Sequence, residues 1–300
     1  MVRSSAASPS SHAPTGGVSP QAPIAVGELL RSAATRLEHS GVAGPDARLL
    51  LAHALQCTLG RLRMLEALGE TVDAEHVRRF TDMLARRLAR EPLQHITGSA
   101  AFRNIELDVG PGAFVPRPET ELLVDLAIER LPTGGSVLDA GTGSGAIAIS
   151  IATERPDASV VAIEGSPAAF VWAKRNARRL APDIKLVHDM FEHALANTKG
   201  LDVLVSNPPY VPHAAIPRDV EVFLHDPKQA LYSGPDGLDA VRSLAVVGAS
   251  AVRSGGSILL EHGEHQGGQV REILSDAGWR APVTSKDLTG RDRATAARRS

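Results

Sequence analysis

The chain has 300 residues, 43% of them hydrophobic and 22% charged, the balance of a globular protein with room for one large domain or two ordinary ones. No apolar run approaches the roughly 18 residues of a membrane span, and the lone cysteine, Cys57, excludes a disulfide framework or a multi-cysteine metal centre, so a reducing, cytoplasmic setting follows. With a net charge of -2 and 3% aromatic residues, neither non-specific nucleic-acid binding nor a base-stacking platform is expected.

Residues 1–23 are mostly Ser, Ala, Pro and Gly. They cannot bury enough apolar surface to offset the entropy of ordering, and read as a disordered tail. No continuous apolar segment follows Arg3, which argues against a signal peptide. From 24 to 92 the pattern is helical, with Leu29, Leu30, Ala33 and Leu37, then Leu49, Leu50, His53, Ala54 and Cys57, at spacings of three and four. Cys57 therefore reads as a core residue. Asp73 precedes a long amphipathic helix carrying Val77, Phe80, Met83, Leu84 and Leu88, and Pro92 stops it. Arg78, Arg79, Arg86, Arg87 and Arg90 make that helix basic, more simply a solvated face than a dock for an acidic partner. Arg291, Arg293, Arg298 and Arg299 read the same way.

Residues 93–115 change character: Ile96, Phe102, Ile105, Leu107 and Val109 among Gly98, Asn104 and Gly110-Pro111-Gly112 suggest a β-hairpin linker. From 116 to 300, strands and helices alternate. Strands are expected at Ser136–Ala140, Ser159–Glu164, 184–189, Leu201–Ser206 and 256–261. Helices are expected at 145–153, Pro167–Leu180, 236–253 and 268–277, with a closing antiparallel edge from Trp279 onward. This alternation predicts an α/β fold, a doubly wound parallel sheet preceded by a small helical bundle.

Two sites carry chemistry. The first strand runs into Gly141-Thr142-Gly143-Ser144-Gly145, whose glycines let backbone approach a ligand, and Glu164 ends the next strand, placed to accept from ribose hydroxyls. Alone, this pattern suits a dinucleotide as well as another nucleoside cofactor. The second site is Asn207-Pro208-Pro209-Tyr210, after the fourth strand and at the same crevice. Two prolines remove N–H donors and leave carbonyls, Asn207 adds a side-chain acceptor, and Tyr210 an apolar wall. Such a site grips a planar NH2 group by both hydrogens and stabilises positive charge developing on its nitrogen as a methyl sulfonium is attacked. Hydride transfer has no use for it. His262 and His265 lack a third ligand at helical spacing, so no metal is expected.

Asn-Pro-Pro-Tyr with Gly-Thr-Gly-Ser-Gly resembles the S-adenosyl-L-methionine-dependent amino-methyltransferases. Phe114-Val115-Pro116-Arg117-Pro118-Glu119-Thr120, Glu91-Pro92-x-x-His95-Ile96-Thr97-Gly98 and Leu260-Glu261-His262-Gly263 narrow the resemblance to the HemK/PrmC family, over about residues 25–300. The resemblance implies a Rossmann-like class I methyltransferase domain with a seven-stranded sheet. It also implies methylation of N5 of the glutamine in the Gly-Gly-Gln motif of class-I peptide release factors, with S-adenosyl-L-homocysteine as product. Asp139, Gly141, Thr142, Gly143, Ser144 and Gly145 would then cradle the methionine end of the cofactor, Glu164 its ribose and Asp189 its adenine. Met190 stands where an aromatic residue often follows the acid, so Phe191 is the alternative cover for the adenine. Asn207 and Pro208 would grip the glutamine amide beside Pro209 and Tyr210, with Arg117, Pro118 and Glu119 bordering the pocket. The helical bundle would recognise the protein substrate, and a monomer is expected. Glutamine methylation of a ribosomal protein, or adenine-N6 or cytosine-N4 methylation of nucleic acid, are the alternative reactions.

Overall fold

The computed structural model describes residues 23–300, so the tail expected at 1–23 lies outside the described residues but for Pro23. The chain divides into two compact units, the first ending at Ala85 and the second covering Arg86–Ser300. In the first, helices Val26–His39, Asp46–Ala54 and Leu59–Ala67 pack on one another and bury Leu30, Leu37, Leu50, Leu51 and Leu62. A fourth helix begins at Ala74, where Asp73 Oδ1 accepts the N–H groups of Glu75 and His76, each at 3.0 Å. Val77, Phe80, Met83 and Leu84 form its buried stripe. Cys57 is half-buried, not a core residue, because the chain has already left its helix and turned through Gln56 at a φ of 51°.

The end of that helix corrects the reading of a uniformly solvated basic face. Arg86 pairs with Glu91, while Arg87 and Arg90 both bind Glu221, each at 2.9 Å; Arg78 and Arg79 are exposed. Residues 93–115 are not hairpin throughout either. Pro92 and Gly98, the latter at a φ of 76°, bracket a short helix, Leu93–Thr97. The hairpin itself pairs Ser99–Phe102 with Ile105–Asp108, and its Phe102 and Leu107 join the main hydrophobic core.

Seven strands form the sheet of the second unit: β1 (Ser136–Ala140), β2 (Ser159–Glu164), β3 (Lys185–His188), β4 (Leu201–Ser206), β5 (Val252–Glu261), β6 (Trp279–Lys286) and β7 (Asp292–Arg299). Their spatial order is β3-β2-β1-β4-β5-β7-β6, with β1 to β5 parallel and β7 antiparallel to both its neighbours. The expected closing edge is thus a hairpin whose second strand slots inside its first. β5 begins at Val252, earlier than the 256 expected, and the helix before it is correspondingly confined to Asp239–Ala251.

Val137, Leu138, Val203, Leu204 and Val205 are buried on β1 and β4, as central strands covered on both faces must be. The order reverses between β1 and β4, so the connections leaving their carboxyl ends run to opposite sides and open a crevice there. The two sequence motifs lie at that crevice.

Candidate active site

The glycine loop leaves β1 in a conformation only glycine takes easily: Gly141, Gly143 and Gly145 have φ of 76°, 61° and 93°. A Cβ at Gly141 or Gly143 would meet nothing within 4 Å, so bare backbone faces open space. Gly141 and Thr142 donate their N–H groups to the carbonyl of Ile163 on β2, and Gly143 donates to Glu164 Oε2 at 2.8 Å. Ser166 donates to Glu164 Oε1 at 2.7 Å. Burial lifts the Glu164 carboxyl above its ordinary value, against the opposing pull of these N–H groups. Each oxygen can accept a further bond, and Glu164 lines the cavity described below.

Asn207 follows β4 and donates from Nδ2 to Thr120 Oγ1 at 3.2 Å. Its Oδ1 takes no hydrogen bond among the described residues, and Pro208, lacking an N–H, sits buried beside it. Tyr210 donates its hydroxyl to Glu261 Oε1 at 3.3 Å. Burial drives the Tyr210 phenol well above the usual range, with the Glu261 charge as the second cause. Gln266 fixes the turn from behind, donating from Nε2 to the carbonyls of Tyr210 (3.0 Å) and Asp236 (3.2 Å).

One cavity of about 1320 Å³ joins the two sites. Gly141, Thr142, Gly143 and Ser144 line it with Glu164, and so do Asn207, Pro208, Pro209 and Tyr210. Arg117, Pro118 and Glu119 border it, as do both Met190 and Phe191. Met190 is 57% exposed and Phe191 half-buried, so the aromatic ring is the better-held wall.

Three residues expected at the ligand are not among those that line the cavity. Asp139 is 0% exposed behind the loop, where its Oδ2 accepts from Thr142 Oγ1 (2.6 Å) and the Ala148 N–H (3.2 Å). Burial pushes its carboxyl up to about 7. Gly145 opens the helix Ala146–Glu154 and turns its missing Cβ toward Ile149, not the cavity. Asp189 is engaged by the N–H of Met190 and by His193 Nδ1, both at 2.8 Å.

Other contacts that shape the site join residues distant in sequence. Thr120 holds Asn207 from a turn 87 positions away. Buried Asn176 donates to the carbonyl of Ser144 in the glycine loop and, with Asp108, ties that loop to the hairpin. Arg117 pairs with the side chain of Asp226 at 3.0 Å and lies over the Phe114 ring at 5.0 Å. Arg293, read as a surface charge, is buried, binds Asp287 and lines the cavity. His262 is likewise buried, bonded to Thr295 Oγ1 at 2.8 Å. Among the described residues no cluster of His, Cys, Asp and Glu could hold a metal ion, and no helix is long and apolar enough to cross a membrane.

Residues 28–98 match the PrmC N-terminal domain and residues 101–238 the methyltransferase small domain. The chain is 39% identical over 275 residues to the release factor glutamine methyltransferase of Mycolicibacterium smegmatis, covering 90% of this chain and 96% of that protein. It is 42% identical over 279 residues to the protein of the same name from Deinococcus radiodurans, covering 91% and 98%. A methyltransferase structure from Pyrococcus furiosus superposes with a TM-score of 0.51 at 17% identity, over 73% of this chain and 99% of that one, a likeness of fold.

Proposed function

This chain belongs to the release factor glutamine methyltransferases, and on that footing we propose how it works. It transfers a methyl group from S-adenosyl-L-methionine to N5 of the glutamine in the Gly-Gly-Gln motif of class-I peptide release factors. One observation carries the reading furthest. The Asn207 amide is turned by Thr120 so that its oxygen is left to accept, in the same cavity as the bare glycine loop and Glu164.

The cavity fits the cofactor by its own features. Gly141 and Gly143 let a ligand lie against backbone, and Glu164 offers carboxylate lone pairs suited to ribose hydroxyls. When bound, S-adenosyl-L-methionine supplies an electrophilic methyl on a sulfonium. Phe191, with Met190, covers the adenine in this reading. Asp139 serves from behind, bracing Thr142 and the first turn of the helix that follows.

An amide nitrogen is a weak nucleophile because its lone pair is delocalised. Asn207 Oδ1 and the Pro208 carbonyl accept its two hydrogens and so fix its plane and aim. As positive charge grows on the nitrogen, these two dipoles stabilise it without reorganising. Tyr210 and Pro209 wall the site against water, and Arg117, Pro118 and Glu119 shape its entrance. The proton is lost after methyl transfer.

Among the described residues the cavity is lined from Gly112 to Arg293. In this reading the helical N-terminal unit serves the protein substrate. A cytoplasmic monomer acting on release factors completes the reading.

The test is transfer of radiolabelled methyl from S-adenosyl-L-methionine to a purified class-I release factor. The same assay should leave ribosomal protein and an adenine- or cytosine-containing oligonucleotide unlabelled. Label on either of those, with none on the release factor, would move the substrate.

A further inference from the structure

Glu261, at the carboxyl end of β5, is 1% exposed and does not line the cavity, yet it stands directly behind the acceptor site. Its Oε1 receives the Tyr210 hydroxyl at 3.3 Å, and the Thr120 hydroxyl stabilises its charge. Its Oε2 is shut off from solvent with no hydrogen-bond partner at bonding distance. Thr120 in turn accepts from Asn207 Nδ2, so its single proton has to be placed elsewhere, and Glu261 is the carboxylate beside it. A buried carboxylate is costly to keep unless it does something for its neighbours.

We propose that Glu261 is a positioning residue for methyl transfer. By taking the hydroxyl protons of Thr120 and Tyr210 it fixes both hydroxyls, and through Thr120 it fixes the Asn207 carboxamide with its oxygen toward the amide to be methylated. The proposal rests on the acceptor site read above and adds to it a residue two steps removed from the substrate.

The ionised carboxylate is the form that accepts from two donors. Once protonated, it carries a proton of its own and competes for an acceptor, and the Thr120 hydroxyl is free to turn. Burial pushes the Glu261 carboxyl up to about 7, opposed by Thr120, Arg293 and Tyr210 and reinforced by Glu119; these are the titratable and polar groups facing it. The orientation of Asn207 therefore responds to pH near neutrality, improving as pH rises.

The experiment has two readouts. The chain holds only two tyrosines, Tyr210 and Tyr232, so tyrosine labelled with carbon-13 in its ring gives two phenol signals, assigned with Tyr232→Phe. The Tyr210 signal should move across roughly pH 5.5 to 8.5 as Glu261 titrates, and stay flat in Glu261→Gln. This needs neither substrate nor cofactor, so it judges the proposal even if the substrate were wrongly read. At saturating S-adenosyl-L-methionine, Glu261→Gln should lower kcat by about 10–100-fold and flatten its acidic limb, with KM for the cofactor changed by less than about threefold. Thr120→Val should lose about tenfold in kcat while the Tyr210 signal still titrates, which keeps the test alive should Glu261→Gln fold poorly. A Tyr210 signal that does not titrate, or titrates alike in Glu261→Gln, overturns the proposal. So does a Glu261→Gln or Thr120→Val enzyme with wild-type kcat and the wild-type acidic limb.

Discussion

The N–H of Gly143 donates to Glu164 Oε2 at 2.8 Å, locking the tip of the glycine loop to the end of the neighbouring strand. The same carboxylate accepts from Ser166 through its other oxygen, so loop, strand and the next helix share one anion. Glu164→Gln keeps the shape but turns an NH2 group against one of the two N–H donors. Cofactor Kd should rise by about 10–100-fold, with kcat at saturating cofactor within about threefold. Calorimetric titration beside steady-state kinetics checks this. A loss confined to kcat would place Glu164 at the reacting atoms instead.

Gly237 backs directly onto the Asn-Pro-Pro-Tyr turn. Its φ is 82°, and a Cβ there would stand 2.3 Å from the Tyr210 carbonyl oxygen and 2.9 Å from Gln266 Nε2. The Tyr210 oxygen is backbone and cannot swing away, so Gly237→Ala must displace the turn or the segment carrying residue 237. The expected result is a fall in kcat of at least about tenfold and a loss of stability of about 1–3 kcal/mol. Cofactor affinity, set by the glycine loop and Glu164, should hold within a few fold. Unchanged turnover would mean the turn tolerates displacement that the acceptor geometry should not.

Asp139 makes stability depend on pH in an unusual direction. With its carboxyl pushed up to about 7 by burial, the folded chain keeps a proton that the unfolded chain releases near 4. This contribution is fully present below the unfolded value and is lost as pH rises toward and through about 7. Asp139→Asn removes it. Denaturant unfolding at about pH 5 and pH 8 should therefore show wild type losing on the order of 2 kcal/mol more than Asp139→Asn between the two. Parallel losses would show that Asp139 is ionised throughout.

The sheet was legible because its signals are local. Val137-Leu138 and Val203-Leu204-Val205 are apolar runs, and Gly141-Thr142-Gly143-Ser144-Gly145 marks its own strand-to-helix turn. Both motifs follow their strands and meet because parallel strands present their carboxyl ends together. Partnerships across the fold were not legible. Nothing near Thr120 announces Asn207, and nothing near Glu261 announces Tyr210, 51 positions away. The arginines misled for the same reason: Arg87, Arg90 and Arg293 look like surface charge until Glu221 and Asp287 are brought to them. Asp139 and Asp189 sit at strand ends, as ligand-binding acids do, but neither lines the cavity, and the bonds they accept from Thr142 and His193 have no signal in the sequence. Composition carries no record of which way a carboxylate turns.

The most direct measurement is intact and peptide-level mass spectrometry of a class-I release factor incubated with this protein and S-adenosyl-L-methionine, alongside Asn207→Ala. A single added methyl on the glutamine of Gly-Gly-Gln is expected with the natural chain. With Asn207→Ala, transfer should drop by about 100–1000-fold while cofactor affinity stays within a few fold. A methyl on another residue, or full transfer by Asn207→Ala, would contradict the assignment of the acceptor site.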